Sequence, residues 1–311
     1  MQLFFTTSEF ELIDIDVYMC YHVDIIYYIP HICKNNELHI LCKEQTESML
    51  RYDYKKYDGE ILPIRQDTYA VKDGYSLPIN IFAPREENQN NRYAVLCIHG
   101  GGWGTNLKAG EKWDGYWMRH QAKYYSMLGY YAFEISYRPC GVGSTDVCDL
   151  VCDVSDAMKY IRNRLTPEFG IEKLISIGDS AGGHLVLCLA LDDDITMRPD
   201  ICIALNPVSD LLNDKWIGNC NDINRRLTVS PYHNVIRTDT KFYIMHGDAD
   251  TVVAPSDSAR LYEKLIDRKN TAKIEYLPNA QHAFILYGYT ARAEDIDIYM
   301  QKTVDFINEN L

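Results

Sequence analysis

The chain has 311 residues, of which 47% are hydrophobic and 24% charged, and its formal net charge at pH 7 is −13. These hydrophobic and charged fractions are ordinary for a globular protein that buries a full core. The acidic excess argues against nucleic acid and anionic membrane surfaces as partners, and it favours neutral substrates over polyanionic ones.

Residues 1–50 are predicted to be an N-terminal extension, because they carry no motif with chemical meaning. Two interpretations stay open: a cap over the active site, or residues upstream of a true start at Met49. No lysine or arginine precedes Lys34, so signal-peptide features are missing. Acidic residues and a proline interrupt the apolar stretch from Leu12 to Ile32, which argues against a membrane span. We therefore expect a cytoplasmic protein.

Apolar runs and segments with helical spacing alternate from about residue 60 onward. Helical spacing is clearest in the segments that follow the predicted strands at 95–98, 131–136 and 272–276. Alternation of this kind predicts an α/β fold, a mostly parallel central sheet with helices on both faces, in one catalytic domain over residues 51–311. The predicted strands lie in residues 61–81 (a pair around the turn at 72–74), 95–98, 131–136, 174–177, 201–205, 241–245 and 272–276.

Residues 95–103 (VLCIHGGGW) run from an apolar strand directly into three glycines. Acyl transfer places negative charge on the former carbonyl oxygen, and backbone N–H groups must reach it from about 3 Å. Only residues without a Cβ let the main chain come so close. We therefore expect Gly101 and Gly102 to form an oxyanion hole, together with the N–H of Ala181. The nearby Trp103 and Trp113 are candidate substrate contacts, for a sugar face or an acyl chain.

Residues 178–182 (GDSAG) match G-x-S-x-G, and they lie between an apolar strand and an apolar helix. A serine in this place forms a nucleophile elbow, a tight and strained turn that exposes its hydroxyl at the start of a helix. Ser180 is thus the predicted nucleophile.

A serine hydroxyl needs a base, and in this arrangement the chain order is serine, acid, histidine. Among nine histidines, only His282 follows a suitable acid at the end of a predicted strand. Asp250, in the segment HGDAD, is the predicted acid because it leaves its turn toward the next loop. We expect Asp248 to shape that turn, and Asp210 is a weaker alternative. We expect His246 to be structural.

The ten cysteines do not form a pattern typical of metal binding or of a disulfide framework. Several lie inside predicted strands or helices, where cysteine behaves as a small hydrophobic residue. We expect reduced thiols, no metal and no cofactor.

Six segments together resemble the α/β-hydrolase esterases, the group of acetylxylan and feruloyl esterases and hormone-sensitive-lipase-like enzymes. They are HGGGW at 99–103, YRP at 137–139, GDSAGGH at 178–184, SP at 230–231, HGDADTVV at 246–253 and the His282 loop. The form of the acid segment, H-G-x-x-D, departs from the hormone-sensitive-lipase-like pattern and is similar to the sugar-esterase and prolyl-oligopeptidase-like branches. The resemblance implies an α/β-hydrolase fold and a Ser-His-Asp triad that needs no cofactor.

The same resemblance implies a serine hydrolase that cleaves short-chain carboxylic esters through an acyl-enzyme, with acetyl groups on sugars as a candidate substrate. The insertion at residues 209–240 is polar, unlike the large apolar lid of long-chain lipases. Because HGGxW also occurs in kynurenine formamidases, an arylformamidase stays an alternative, as does a peptidase of the same fold. A small ester or acylated sugar is the expected partner, and the oligomeric state is not assigned.

Overall fold

The computed structural model describes residues 52–57, 62–84, 92–107, 113, 115–141 and 143–311. Within these ranges one sheet has eight strands: β1 (Arg65–Lys72), β2 (Tyr75–Phe82), β3 (Tyr93–Ile98), β4 (Tyr131–Ile135), β5 (Lys173–Asp179), β6 (Ile201–Leu205), β7 (Lys241–Gly247) and β8 (Thr271–Leu277). Their order across the sheet is β1-β2-β4-β3-β5-β6-β7-β8. The β1–β2 and β2–β4 pairs are antiparallel and the remaining five are parallel, which confirms the prediction of a mostly parallel sheet.

The described helices are α1 (Tyr54–Tyr57), α2 (Arg119–Met127), α3 (Val147–Tyr160), α4 (Thr166–Phe169), α5 (Ala181–Ala190), α6 (Ile223–Thr228), α7 (Pro255–Asp267) and α8 (Ala293–Asn310). A capping box begins α3: the side chain of Asp146 accepts from the Cys148 N–H, and Asp149 reaches back to the Asp146 N–H. A π-helical turn, Ile161–Leu165, joins α3 to α4. Short 3₁₀ turns occupy Gly102–Gly104, Gly115–Met118, Ile195–Met197 and Asp214–Trp216.

Two buried apolar clusters lie on the two faces of the sheet. Val154 of α3, Leu185 of α5 and Leu261 of α7 belong to one cluster. Ala122 of α2 and Ile296 of α8 belong to the other. Successive residues of β3 alternate between the two clusters, as the two-residue period of a strand requires. The sheet therefore has helices on both faces, as predicted.

Parallel strands point their carboxyl ends toward one edge of the sheet, where ligands of open α/β folds bind. The loop after β3 carries the glycine triplet, and Ser180 directly follows β5. The turn after β7 carries Asp250 and the loop after β8 carries His282. The topology thus places the predicted site residues at one edge.

The predicted N-terminal extension, residues 1–50, lies outside the described residues, so its boundary and the start at Met49 stay predictions. Residues Met49–Leu311 form one compact unit. Among the described helices, none combines the length and apolarity needed to cross a bilayer. The described cysteines are free thiols.

Candidate active site

Ser180 is the single residue between β5 and α5, and its backbone is strained, with φ 55° and ψ −115°. Its N–H donates to the Leu205 carbonyl at 2.9 Å, which ties the turn to the end of β6. A Cβ on Gly182 would collide with the carbonyl of Ile98, and one on Gly178 would collide with Gly182 itself. The glycines of the motif are therefore required for close packing, and the geometry is that of a nucleophile elbow.

Ser180, His282 and Asp250 form one hydrogen-bonded chain. The His282 Nε2 is 2.9 Å from the Ser180 Oγ, and its Nδ1 is 2.7 Å from the Asp250 Oδ2. Because a carboxylate only accepts, the proton on His282 belongs on Nδ1, which leaves Nε2 free to accept the serine proton. The structure thus brings together the three residues that the sequence predicted for a triad, in the geometry of general-base activation of a hydroxyl.

A second histidine also contacts the carboxylate of Asp250. The Nε2 of His246 is 3.2 Å from the Asp250 Oδ2 and 3.1 Å from the Val253 carbonyl, and its Nδ1 is 2.7 Å from the Ser258 Oγ. Two acceptors at Nε2 place the proton there. Burial opposes ionisation of Asp250, but hydrogen bonds from His246 and His282 outweigh it and hold the pKa of this carboxyl well below its ordinary value.

Backbone groups complete the anchoring of Asp250, whose Oδ1 accepts the N–H groups of Val252 and Val253 at 2.7 and 3.0 Å. The buried His246, hydrogen-bonded within its own turn, agrees with the expectation of a structural residue; its bond to Asp250 in particular was not predicted. The sequence signal for this contact is the four-residue spacing between His246 and Asp250 in HGDAD, which lets a single turn bring the ring to the carboxylate.

Two other acids considered for the triad are engaged elsewhere. The Asp248 Oδ1 accepts the Asn279 N–H at 2.6 Å, which ties the turn after β7 to the loop that leads into His282. Asp210 accepts the Leu212 N–H at 3.0 Å and pairs with Arg260 at 3.3 Å. The role expected for Asp248, a turn-forming residue, agrees with this geometry.

The segment after β3, residues 100–104, is hereafter the oxyanion loop. Gly101 and Gly102 have φ values of 92° and 58°, in the left-handed region where glycine is favoured. The turn's own hydrogen bonds run from the Gly104 N–H to Gly101 and from the Thr105 N–H to Gly102, so they do not use the N–H groups of Gly101 and Gly102. Ala181 is the first residue of α5, where N–H groups lack intrahelical partners. These three N–H groups are the candidate donors for an oxyanion.

The segment after β4 holds the oxyanion loop in place through hydrogen bonds to its backbone carbonyls. The Tyr137 hydroxyl donates to the carbonyls of His99 and Gly100 at 2.8 and 3.1 Å, and the Cys140 N–H donates to the Trp103 carbonyl at 2.8 Å. The next residue, Arg138, makes a buried ion pair with Asp153 of α3 at 2.7 Å. Sequence reasoning used this YRP segment only as a point of resemblance; the structure gives it a supporting role.

The two tryptophans near the loop differ in position. Trp103 is 1% exposed, and its ring meets those of His184 and Trp216 edge to face, with centroids 5.4 and 6.3 Å apart. This burial corrects the expectation of a substrate contact, because the ring packs inside the protein. Trp113 is half-buried, donates from Nε1 to the Tyr137 carbonyl at 2.7 Å, and its ring lies 3.3 Å from where a Cβ on Gly101 would be. It remains a candidate wall of the substrate pocket.

A buried carboxyl that the sequence interpretation did not single out lies beside Ser180. Asp179 is 2% exposed, and its Oδ1 accepts from the Asn206 Nδ2 at 3.0 Å. Burial raises the pKa of Asp179 from 3.8 to about 6, although the nearby His282 and the hydrogen bond from Asn206 counteract part of the effect. A carboxyl that is harder to ionise than usual therefore lies next to Ser180.

One group of potential metal ligands occurs among the described residues: Asp146, Cys148 and Cys220, whose ligand atoms lie within 4.8 Å of one another. Asp146 already caps α3, and its Oδ2 pairs with the Arg225 guanidinium at 2.7 Å. A guanidinium in that place opposes a second cation. The chemistry described above involves none of these residues.

Comparison with known families matches two parts of the chain. The BD-FAE model matches residues 79–202, and the model of the prolyl oligopeptidase family matches residues 149–311, more than half of the chain. No curated protein sequence matches.

Solved structures of one esterase are similar over most of the chain. Thermogutta terrifontis esterase 2 phosphoramylated by tabun aligns with a TM-score of 0.69 and 24% identity, over 81% of this chain and 97% of that chain. Its propionate-bound form, described as a thermophilic esterase from a Planctomycetes species, aligns with a TM-score of 0.65 and 26% identity, over 81% and 95%. The butyrate-bound form gives 0.66 and 24%, over 81% and 96%. The α/β-hydrolase fold implied by the motifs is thereby confirmed.

Proposed function

The chain belongs to the prolyl oligopeptidase family, and on this premise we propose that it is a serine hydrolase that cleaves short-chain carboxylic esters. The observation that carries the proposal is the chain of hydrogen bonds from Ser180 through His282 to Asp250, at 2.9 and 2.7 Å. An elbow serine with such a base and such an acid is equipped for acyl transfer.

In the proposed mechanism, the Nε2 of His282 takes the proton from the Ser180 hydroxyl as the oxygen attacks an ester carbonyl. Asp250 holds the ring in the required tautomer and stabilises the imidazolium. The N–H groups of Gly101, Gly102 and Ala181 stabilise the oxyanion. His282 returns the proton to the leaving alcohol and then activates water for hydrolysis of the acyl-enzyme.

A short acyl group is the proposed substrate feature. The Trp113 ring lies against the oxyanion loop, 3.3 Å from the place of a Gly101 Cβ, and would limit the space beside the carbonyl. The similar esterase from Thermogutta terrifontis has been solved with propionate and with butyrate, both short acids. Acetyl groups on sugars are the proposed natural class, on the motif resemblance and the match of the BD-FAE model to residues 79–202.

Peptide cleavage is a second candidate, favoured by the match of the prolyl oligopeptidase model to the half of the chain that holds the proposed triad. Hydrolysis of N-formylkynurenine is a third, because the HGGGW segment at 99–103 resembles that of kynurenine formamidases. All three reactions are acyl transfers, so they use the same serine, histidine and oxyanion donors. They differ in the leaving group.

A substrate panel tests the proposal. We expect kcat/KM to be highest for p-nitrophenyl acetate to butyrate and to fall at least about tenfold at octanoate, about 1.4 kcal/mol in transition-state binding. The reason is steric: the Trp113 ring beside the oxyanion loop leaves little room for an acyl chain, so a long chain would bind with its carbonyl displaced from the oxyanion donors. Acetylated xylan oligomers, a prolyl p-nitroanilide and N-formylkynurenine complete the panel, and Ser180→Ala serves as the inactive control.

Each outcome of the panel has a definite meaning. Turnover of the anilide or of N-formylkynurenine above that of every ester would replace the esterase proposal by the corresponding alternative. Faster turnover of decanoate than acetate would contradict the short pocket. A folded Ser180→Ala variant that keeps more than a tenth of the activity would remove Ser180 from the mechanism.

A further inference from the structure

We propose that His184 is a positioning residue that holds the oxyanion loop in register with Ser180; the inference rests on the proposed function. The Nε1–H of Trp103, within the loop, donates to the Nδ1 of His184 at 3.3 Å, and the two rings pack nearly perpendicular, at 86°. The two residues are 81 positions apart in sequence. This bond joins the loop to the helix that follows the nucleophile.

The loop needs such a tether because its backbone is strained. Gly101, Gly102, Trp103 and Gly104 all have positive φ, between 57° and 92°. Glycines adopt this region at little cost, but a bulky residue at φ 57° is a conformational outlier. Strain of this kind persists only when surrounding contacts fix it. Besides the bond from the Cys140 N–H to the Trp103 carbonyl, the side-chain bond to His184 supplies that constraint.

The surroundings of His184 fix its tautomer in the form that the loop requires. Its Nε2 is 2.8 Å from the Val229 carbonyl, an acceptor, so Nε2 carries the proton and Nδ1 is left to accept from Trp103. The imidazole is fully buried, and burial lowers its pKa to about 4. A neutral ring is the state that keeps Nδ1 as an acceptor near neutral pH.

Helix α5 thereby anchors both Ser180 and the oxyanion loop. His184 is four residues after Ser180, one helical turn away, and its N–H donates to the Ser180 carbonyl at 3.0 Å. Ser180 is thus fixed at the start of the helix, and the oxyanion loop is fixed to the end of its first turn. Loss of the side-chain bond would let Gly101 and Gly102 move relative to the serine, and displaced donors stabilise a transition state poorly.

The test compares three variants of the full chain: Trp103→Phe, His184→Leu and His184→Gln. Trp103→Phe removes the donor and keeps an aromatic ring, whereas glutamine can replace both hydrogen bonds of the histidine. We expect Trp103→Phe and His184→Leu to lower kcat for p-nitrophenyl acetate by about 10–100-fold, with KM changed less than about twofold, because only transition-state binding is lost. His184→Gln should recover most of the loss.

A trifluoromethyl ketone, which forms an oxyanion on the serine, separates positioning from simple destabilisation. Its Ki should rise in proportion to the fall in kcat/KM, and the double variant should be little worse than either single one. The control is His233→Gln, a histidine bonded to the Ser230 Oγ at 3.1 Å in the segment between β6 and β7, which should change none of these values. Thermal melting establishes that each variant is folded.

Unchanged kcat and Ki in folded Trp103→Phe and His184→Leu would overturn the inference, as would a loss of kcat with an unchanged Ki. If His184→Leu fails to fold, Trp103→Phe alone decides. Covalent labelling with a fluorophosphonate tests the proposed function separately from the role of His184. A wild-type protein that is not labelled at Ser180 overturns the proposed function as well, whereas a labelled wild type with unchanged variants overturns only the role of His184.

Discussion

At the scale of single residues, the carboxylate of Asp250 is shared by two histidines with different duties. The Nε2 of His282 faces the Ser180 hydroxyl, and the side chain is 15% exposed, as suits a ring that is proposed to exchange protons. His246 is fully buried, and its Nε2–H is directed at the same carboxylate oxygen. In the proposed mechanism the buried ring keeps Asp250 ionised and oriented, so that this carboxylate can act on His282 without taking the proton itself.

Comparison of three asparagine variants tests the assignment of the acid. We expect Asp250→Asn to lower kcat by on the order of 10²–10⁴-fold, because an amide cannot hold His282 in the tautomer that accepts a proton at Nε2. Asp248→Asn and Asp210→Asn are matched controls, since their carboxylates bond to Asn279 and Arg260 instead. Steady-state kinetics on p-nitrophenyl acetate measures the effect. A larger loss in Asp248→Asn than in Asp250→Asn would reassign the acid.

We expect the buried carboxyl of Asp179 to make the stability of the protein depend on pH. Its folded pKa is raised from 3.8 to about 6, so its stabilising contribution is fully present below about pH 4 and is lost as the pH rises through 6. The difference between the folded and the unfolded pKa corresponds to about 3 kcal/mol of unfolding free energy. Asp179→Asn removes the ionisation, and its unfolding free energy should therefore rise relative to wild type between pH 4 and pH 8.

Urea unfolding of both proteins across this pH range measures the difference in unfolding free energy between them. The contributions of the other titrating groups are largely the same in both proteins and cancel in this difference. Asn206, whose Nδ2 donates to Asp179, retains a partner with an acceptor oxygen in the variant. Parallel stability curves for the two proteins would show that the buried carboxyl does not titrate in this interval.

At the scale of elements, the motifs predicted much of the site because each is local to one strand and its turn. An apolar strand before GDSAG and an apolar helix after it predicted the strand-to-helix turn. In the structure β5 and α5 meet at Ser180, as expected. HGDAD and the His282 loop likewise follow strands, whose carboxyl ends a parallel sheet collects at one edge. The alternation of elements was enough to predict the fold, and the comparisons confirm it.

The sequence could not predict contacts that depend on which strands become neighbours. Trp103 was expected to face substrate because it follows the glycines, yet the packing of α5 against the loop buries its ring against His184. The pairing of Asp179 with Asn206 has the same origin, since β5 and β6 are adjacent only in the folded sheet. Residue type and spacing predict local geometry. Contacts between residues far apart in sequence can be predicted only when the order of the strands and the packing of the helices are known.

At the scale of the whole molecule, the described N-terminal segment packs on the core through two tyrosines, Tyr52 and Tyr54, whose rings both lie against His120 and Tyr287. Tyr52 is 3% exposed, its hydroxyl is 3.0 Å from the His120 Nδ1, and its N–H donates to the Asp297 carboxylate at 3.2 Å. Its ring packs against Tyr124 and Tyr287, with centroids 6.1 and 5.1 Å apart. Tyr52 therefore contacts α2, α8 and the segment that follows His282.

Two truncations test the proposed domain boundary near residue 50. A protein that begins at Met49 keeps Tyr52, and we expect it to match the full chain in melting temperature and in kcat/KM. A protein that begins at Asp58 loses a buried aromatic residue, which typically costs about 3–5 kcal/mol. At roughly 2–4 °C per kcal/mol for a domain of this size, its melting temperature should fall by about 6–20 °C. Tyr52→Ala in the full chain is the matched control and should reproduce most of this fall.

An insoluble or inactive protein starting at Met49 would place part of residues 1–48 in the catalytic domain. An unchanged melting temperature of the protein starting at Asp58 would show that the contacts of Tyr52 add no stability.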